Sequence, residues 1–282
     1  YLMPGRVTTL VAPGSTGKTL LVAQWAAALA LGDGSWTDLN LSSTTPQNVL
    51  FVSNEDDRFE MDLRWAGIFR GFGLQWHLAR HRIHSLPGLG RTFKAIRRAA
   101  KRGTLQRSQE YAWLAEYMIK HNITAAFFDP LVSLHEGNEN DNTEMQIVME
   151  ALAALAEHTK AAIVIVHHTS KPPAAGSENY SGSMNVGRGA ASIRDASRIM
   201  LTLFAMHQDD ANRFGIDERH RHRYVALHNA KMNMTLHNPD GRYFQKESVH
   251  LPGGESVGIL RHVELEDRTA ETHRALLKVV AN

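Results

Sequence analysis

Short runs of uninterrupted apolar residues along this chain alternate with longer stretches whose apolar positions recur every three or four residues. Residues 7–11 are β-branched and apolar and lead into Pro13-Gly14, the mark of a strand entering a tight turn. Lys18–Leu31 follows without Pro or Gly, rich in Ala and Leu, and stops at Gly32-Asp33-Gly34, as a helix with a glycine terminator does. Asn48–Ser53 predicts a second strand, and the charged stretch after it carries Met61, Leu63, Trp65, Ile68 and Phe69 at helical spacing. Residues 111–121 predict a helix, and residues 123–128 an almost continuous apolar strand ending on Asp129-Pro130. Met145, Val148, Met149, Leu152, Leu155 and Ala156 mark a helix with one buried face, capped by Asn142 or Thr143. Residues 161–166 form another apolar strand, ending on His167-His168. Continuous apolar strands separated by helices are covered on both faces and build a parallel sheet with right-handed crossovers. The fold class is α/β.

From residue 199 the pattern changes. Residues 199–204, 224–230, 242–245 and 257–263 read as strands with turns at Pro239-Asp240-Gly241 and Pro252-Gly253-Gly254 and no helices between them, so they are expected as antiparallel additions at the sheet's edge. One domain spanning 1–282 is expected, with a core over 1–205 and the edge strands over 206–282. Ser170-Lys171-Pro172-Pro173-Ala174-Ala175-Gly176-Ser177 predicts a mobile loop. No uncharged apolar run reaches the ~18 residues that cross a bilayer. No leader pattern opens the chain and no cysteine is present, which points to a cytoplasmic protein without a membrane partner. A first residue that is Tyr, with a strand close behind it, suggests a domain excised from a longer protein.

The 31 basic and 29 acidic residues nearly cancel, too balanced to argue for nucleic acid from net charge. Their distribution matters more: Arg91, Lys94, Arg97, Arg98, Lys101, Arg102 and Arg107 follow one another with no acid among them. Such a run is a solvated helix face or a phosphate-contacting segment. Sixteen histidines invite a zinc reading, but His77, His81 and His84 lack the HExxH spacing and there are no thiolate ligands.

The chemistry gathers at the ends of the apolar strands. Ala12-Pro13-Gly14-Ser15-Thr16-Gly17-Lys18-Thr19 fits the phosphate-cradling P-loop, with Ala12 in place of the first glycine. Backbone N–H groups of Pro13, Gly14, Ser15, Thr16, Gly17, Lys18, Thr19 and Leu20, proline excepted, can turn toward a polyphosphate at a helix N-terminus, while Lys18 reaches the terminal phosphates and Thr19 holds Mg²⁺. Asp129 ends a buried strand, where a carboxylate is costly unless it is paired or faces a metal, and it is the natural partner for the same Mg²⁺. In open α/β sheets ligands collect outside the carboxyl ends of the strands, so Glu55, Asp129, His167 and His168 should face the P-loop across one crevice. Attack on phosphate by water needs a carboxylate to orient that water. Glu55 is the candidate, with Asp56 and Asp57 as neighbours that could replace it or cap the following helix. Either His167 or His168 can sense the γ-phosphate, and Arg188, Arg194 or Arg198 can supply a cationic finger.

Together these motifs resemble the RepA-type hexameric helicases of plasmid replication, within the RecA/DnaB class of ATPases. The resemblance rests on the P-loop with its leading Ala, Ser53-Asn54-Glu55-Asp56, Phe128-Asp129-Pro130-Leu131 and Val166-His167-His168-Thr169-Ser170-Lys171. It continues through Arg188-Gly189-Ala190, Asp195, Arg198 and Ala230-Lys231-Met232-Asn233. It implies a RecA-like core that assembles into a hexameric ring, hydrolyses ATP between subunits and moves on single-stranded DNA. Lys18 and Thr19 then bind phosphate and Mg²⁺, Glu55 activates water, Asp129 is the Walker B carboxylate, His168 the γ-phosphate sensor and Arg198 a finger donated to a neighbour. Arg64 matches an arginine near the nucleotide, and Lys171 and Tyr180 fall in the loop that contacts DNA. The alternatives are a nucleotide-gated assembly ATPase that moves no DNA, and a small-molecule kinase.

Overall fold

A computed structural model describes residues 1–88, 93–100, 103–168, 190–232 and 241–268. Strand β1 (Val7–Ala12) leads through the P-loop into helix α1 (Lys18–Leu31). After β2 (Asn48–Ser53) come α2 (Arg58–Gly71), the single turn α3 (Trp76–Ala79) and β3 (Ile83–Pro87). The small hairpin β4 (Ile96–Arg98) and β5 (Leu105–Arg107) precedes α4 (Gln109–Lys120), β6 (Ile123–Asp129), α5 (Asn142–Thr159) and β7 (Ala162–His168). Then follow α6 (Ala190–Ala196), β8 (Ile199–Ala205), the short helices α7 (Gln208–Phe214) and α8 (Glu218–Arg221), and the strands β9 (Tyr224–Met232), β10 (Arg242–His250) and β11 (Ser256–Val263).

Nine of these strands form one sheet in the order β11-β10-β9-β8-β1-β7-β6-β2-β3. From β8 to β3 neighbours run parallel, and from β8 outward to β11 they run antiparallel. Alternation along the parallel strands divides the core in two. Val49, Phe51, Ala125, Phe127, Val164 and Val166 point to the α1–α2 side, whereas Leu50, Val52, Ala126, Phe128, Ile163 and Ile165 point to α4 and α5. Helices on both faces explain why these strands carry apolar residues at every position.

Local chemistry sets the helix ends. Asp57 and Glu60 form a reciprocal capping box on α2, and Ser108 caps α4. The cap of α5 is Asp141, which accepts from the Thr143 and Glu144 amides, one residue before the expected cap. Helix α1 ends at Gly32 with φ 68°, where any Cβ would lie 2.3 Å from the Thr44 carbonyl oxygen.

Three features differ from what the sequence predicts. Strand β8 pairs parallel to β1, so the antiparallel additions begin at β9, and α7 and α8 intervene before it. The edge strand β3 was not anticipated, because Ile83-His84-Ser85-Leu86-Pro87 mixes polar and apolar residues at a half-covered edge. The basic run contributes a hairpin instead of a helix face. Arg97 pairs with Glu110 and Glu136, and Arg98 with Glu144, so acids outside the run neutralise these two of its seven basic residues. Among the described residues no helix is long and apolar enough to cross a membrane.

Candidate functional site

Parallel pairing aligns Ala12 with His168 and Ser53 with Asp129, which brings the carboxyl ends of β1, β7, β2 and β6 to one edge of the sheet. In the loop after β1, Ser15 takes φ 61° and Gly17 φ 95°, left-handed conformations that turn successive peptides. The Thr16 hydroxyl donates to the Pro13 carbonyl at 2.9 Å and closes the loop on itself. Helix α1 starts at Lys18 with no side chain capping its N-terminus, so its first amides remain available to an anion.

Lys18 and Asp129 are both buried beside this loop. Burial pulls the Lys18 pKa below the usual lysine range, with Asp129 and Glu55 opposing the shift. Burial pushes Asp129 up to about 6, Thr19 and Lys18 pull the other way, and Glu55 and Asp56 add to the rise. Thr19 bears on Asp129, yet among the described residues both buried carboxylate oxygens of Asp129 are without a well-formed hydrogen-bond partner. A buried carboxylate of this kind is normally paired or metal-bound. It sits beside a hydroxyl, an ammonium and an open helix N-terminus, a donor set that suits Mg²⁺ carried by a polyphosphate. Among the described residues no three His, Cys, Asp or Glu gather into a protein-only metal cage.

The three acids after β2 occupy different environments. Asp56 is buried and spent: it takes a bidentate pair from Arg64 at 2.7 and 2.9 Å and a hydrogen bond from the Ser53 hydroxyl at 3.0 Å. Asp57 is the α2 cap. Glu55 is exposed, with an oxygen 3.8 Å from Nε2 of His168. Burial lowers the His168 pKa, Lys18 lowers it further and Glu55 opposes them. His167 points the other way along the alternating strand, fully buried, with Nδ1 3.5 Å from Glu139. Thus Glu55 and His168 share the crevice with Lys18 and Asp129, while Arg64 reaches it through Asp56.

The arginines are placed elsewhere. Arg198 is exposed, and its amide bonds to the Val7 carbonyl at the start of β1. Five residues at ~3.3 Å each put it about 17 Å along the sheet from the P-loop of its own chain. Arg194 pairs with Asp195, and its carbonyl accepts from Lys231 at 2.6 Å. Arg188, Lys171, Tyr180, Asn233 and the expected loop at 170–177 lie outside the described residues.

One contact at the site had no signal in the sequence. The Lys246 ammonium, from β10, donates to the Ser15 carbonyl in the P-loop at 3.2 Å. Only the fold brings a strand so distant in sequence onto the loop. A family model for an AAA domain matches residues 1–174, which covers the P-loop, Glu55, Asp129 and both strand-end histidines.

Proposed function

The chain belongs to the AAA domain family of P-loop ATPases, and from that premise we propose that it is a ring-forming motor that hydrolyses ATP and moves on single-stranded DNA. The observation that carries the ATPase part is the buried Asp129 carboxylate, without a hydrogen-bond partner among the described residues, beside Lys18 and Thr19 and with Glu55 and His168 at the same strand ends. In this reading the loop amides and Lys18 bind the phosphates. Thr19 and Asp129 hold Mg²⁺, whose charge would offset that developing on the phosphoryl oxygens. Glu55, the one exposed acid of the three, orients the attacking water. His168, whose Nε2 lies 3.8 Å from Glu55, reads the γ-phosphate. Arg198 sits too far from its own P-loop to act there, so a finger role requires a neighbour in the proposed hexamer. The DNA and ring parts rest on the resemblance in motif order to replicative ring helicases.

A second reading has its own support. Glu110, Glu136 and Glu144 pair with Arg97 and Arg98, which takes two of the seven basic residues out of the stripe that a DNA track would use. A nucleotide-gated assembly ATPase needs no such stripe. Steady-state ATP hydrolysis with and without single-stranded DNA, at low and moderate salt, separates the two. DNA stimulation supports the motor, whereas a rate indifferent to DNA with an ATP-dependent change in mass supports the switch. Lys18→Ala should lower turnover by about 100-fold or more, since it removes a charge-assisted contact to the transferring phosphate. Hydrolysis that persists in that variant defeats both readings.

A further inference from the structure

The P-loop is gripped from outside the segment that matches the family model. Strands β10 and β11 pack over α1 and α2, and a cross-strand pair, Lys246 and Leu260, reaches both shoulders of the loop. Lys246 bonds the Ser15 carbonyl, and Leu260 methyls lie 3.2 Å from where a Cβ on Gly17 would sit. Gln24 fastens this pair to the helix in both directions. Its amide donates to the Leu260 carbonyl at 2.7 Å, and its carbonyl accepts from the Leu260 amide at 2.8 Å. The hairpin lies close on α2 because Gly67 and Gly71 have no side chains. A Cβ at either would come within 2.8 Å of Val257, Val249 or Ile259.

We propose that Lys246 is a positioning residue for nucleotide binding, holding the Ser15 carbonyl outward so that the amide on the other side of the same peptide faces the phosphates. The inference rests on the ATPase reading. Its physical basis is the planar trans peptide, in which C=O and N–H point in opposite directions. A carbonyl fixed on the outer face of the loop therefore aims the Thr16 amide inward. Ser15 needs the help because it is not glycine yet holds φ 61°, a conformation that a residue with a Cβ populates sparsely. Among the described residues the Ser15 carbonyl is the hydrogen-bond partner of the Lys246 ammonium, and no carboxylate competes for it. Burial draws the Lys246 pKa down.

The test compares Lys246→Met, which keeps the aliphatic stem, with Lys246→Arg, using calorimetric ADP binding and ATP turnover by the whole chain. A single charge-assisted bond, half exposed, predicts that Lys246→Met raises the Kd for ADP and the KM for ATP by about 3- to 10-fold. The same variant should leave kcat within about 2-fold and the ligand-free Tm unchanged, since the bond serves binding and not the reacting atoms. Lys246→Arg should restore most of the affinity. The proposal is overturned by an unchanged Kd in Lys246→Met, by a fall in kcat with KM held, or by a loss of Tm that accounts for the weaker binding. Wild-type protein that binds no ADP overturns the ATPase reading itself, whereas wild-type binding matched by Lys246→Met overturns the clamp alone.

Discussion

Asp38 and Asp129 are both buried side chains, and burial pushes both carboxyl pKa values up to about 6. Their surroundings differ. Asp38 takes a hydrogen bond from the Trp25 indole at 2.7 Å and faces the Arg242 guanidinium at 3.3 Å. Arg242 in turn bonds Asn229 and lies 4.0 Å over the Tyr1 ring, so the carboxylate joins helix α1, the loop after it and β10. Among the described residues Asp129 has no well-formed hydrogen-bond partner, and it faces Lys18 and Thr19 at the mouth of the P-loop. A perturbed carboxyl therefore does not by itself mark a reactive site. The informative feature is a buried charge left unsatisfied, because the fold tolerates that cost where a ligand later removes it.

The sharpest break of this comparison is to neutralise each carboxylate in turn. Asp129→Asn should lower ATP turnover by about 1000-fold, the scale expected when one electrostatic contact to the developing charge is lost. Turnover within about 10-fold of wild type would remove Asp129 from the site, since a loss that small fits an indirect effect. Asp38→Ala should do the opposite. It breaks a buried pair and strands Arg242 and the Trp25 N–H, costing about 3 kcal/mol of stability by chemical denaturation. Its KM for ATP should not move. A stable Asp38→Ala protein with impaired turnover would show that the two carboxylates are not separated as argued.

The contrast with Asp38 carried no signal in the sequence, but much of the fold and of the candidate site was legible there, and the rest fails for identifiable reasons. Strands β1, β2, β6 and β7 are covered on both faces and announce themselves as apolar runs. Each site residue at their ends can be placed by counting. Strand β3 lies at the edge, and β4 is three residues in which Ile96 precedes two arginines, so neither carries a periodic signal. The fate of the three acids after β2 was open in the sequence. It is decided by Arg64, two turns along α2, and by the capping box with Glu60, both of which need side-chain positions. The pairing of Arg98 with Glu144 and of Lys246 with Ser15 depends on tertiary approach between segments far apart in sequence.

The smallest predicted effect isolates Asp129 by pH and asks whether a ligand removes it. The folded-state pKa of Asp129, about 6, exceeds the model-compound value of 3.8, so the folded protein holds that proton more tightly than the unfolded chain does. Folding stability associated with this group is therefore fully present below pH ~4 and is lost as pH rises through ~6. Two pH units correspond to an upper bound of about 3 kcal/mol, and relaxation around a buried site brings the expectation nearer 2 kcal/mol. Asp129→Asn cannot ionise there. Whatever constant cost its amide adds, the stability difference between the variant and ligand-free wild type should shift in favour of the variant by about 2 kcal/mol between pH 4 and pH 7. Saturating Mg²⁺ and ADP should stabilise wild type and erase this shift, because the bound ligand favours the charged carboxylate. A difference that stays flat with pH would mean that the Asp129 carboxyl is not held protonated by its site in the ligand-free protein, and a shift that Mg²⁺ and ADP leave in place would mean that it does not meet the ligand. The contrast with Asp38 would then fail at its root.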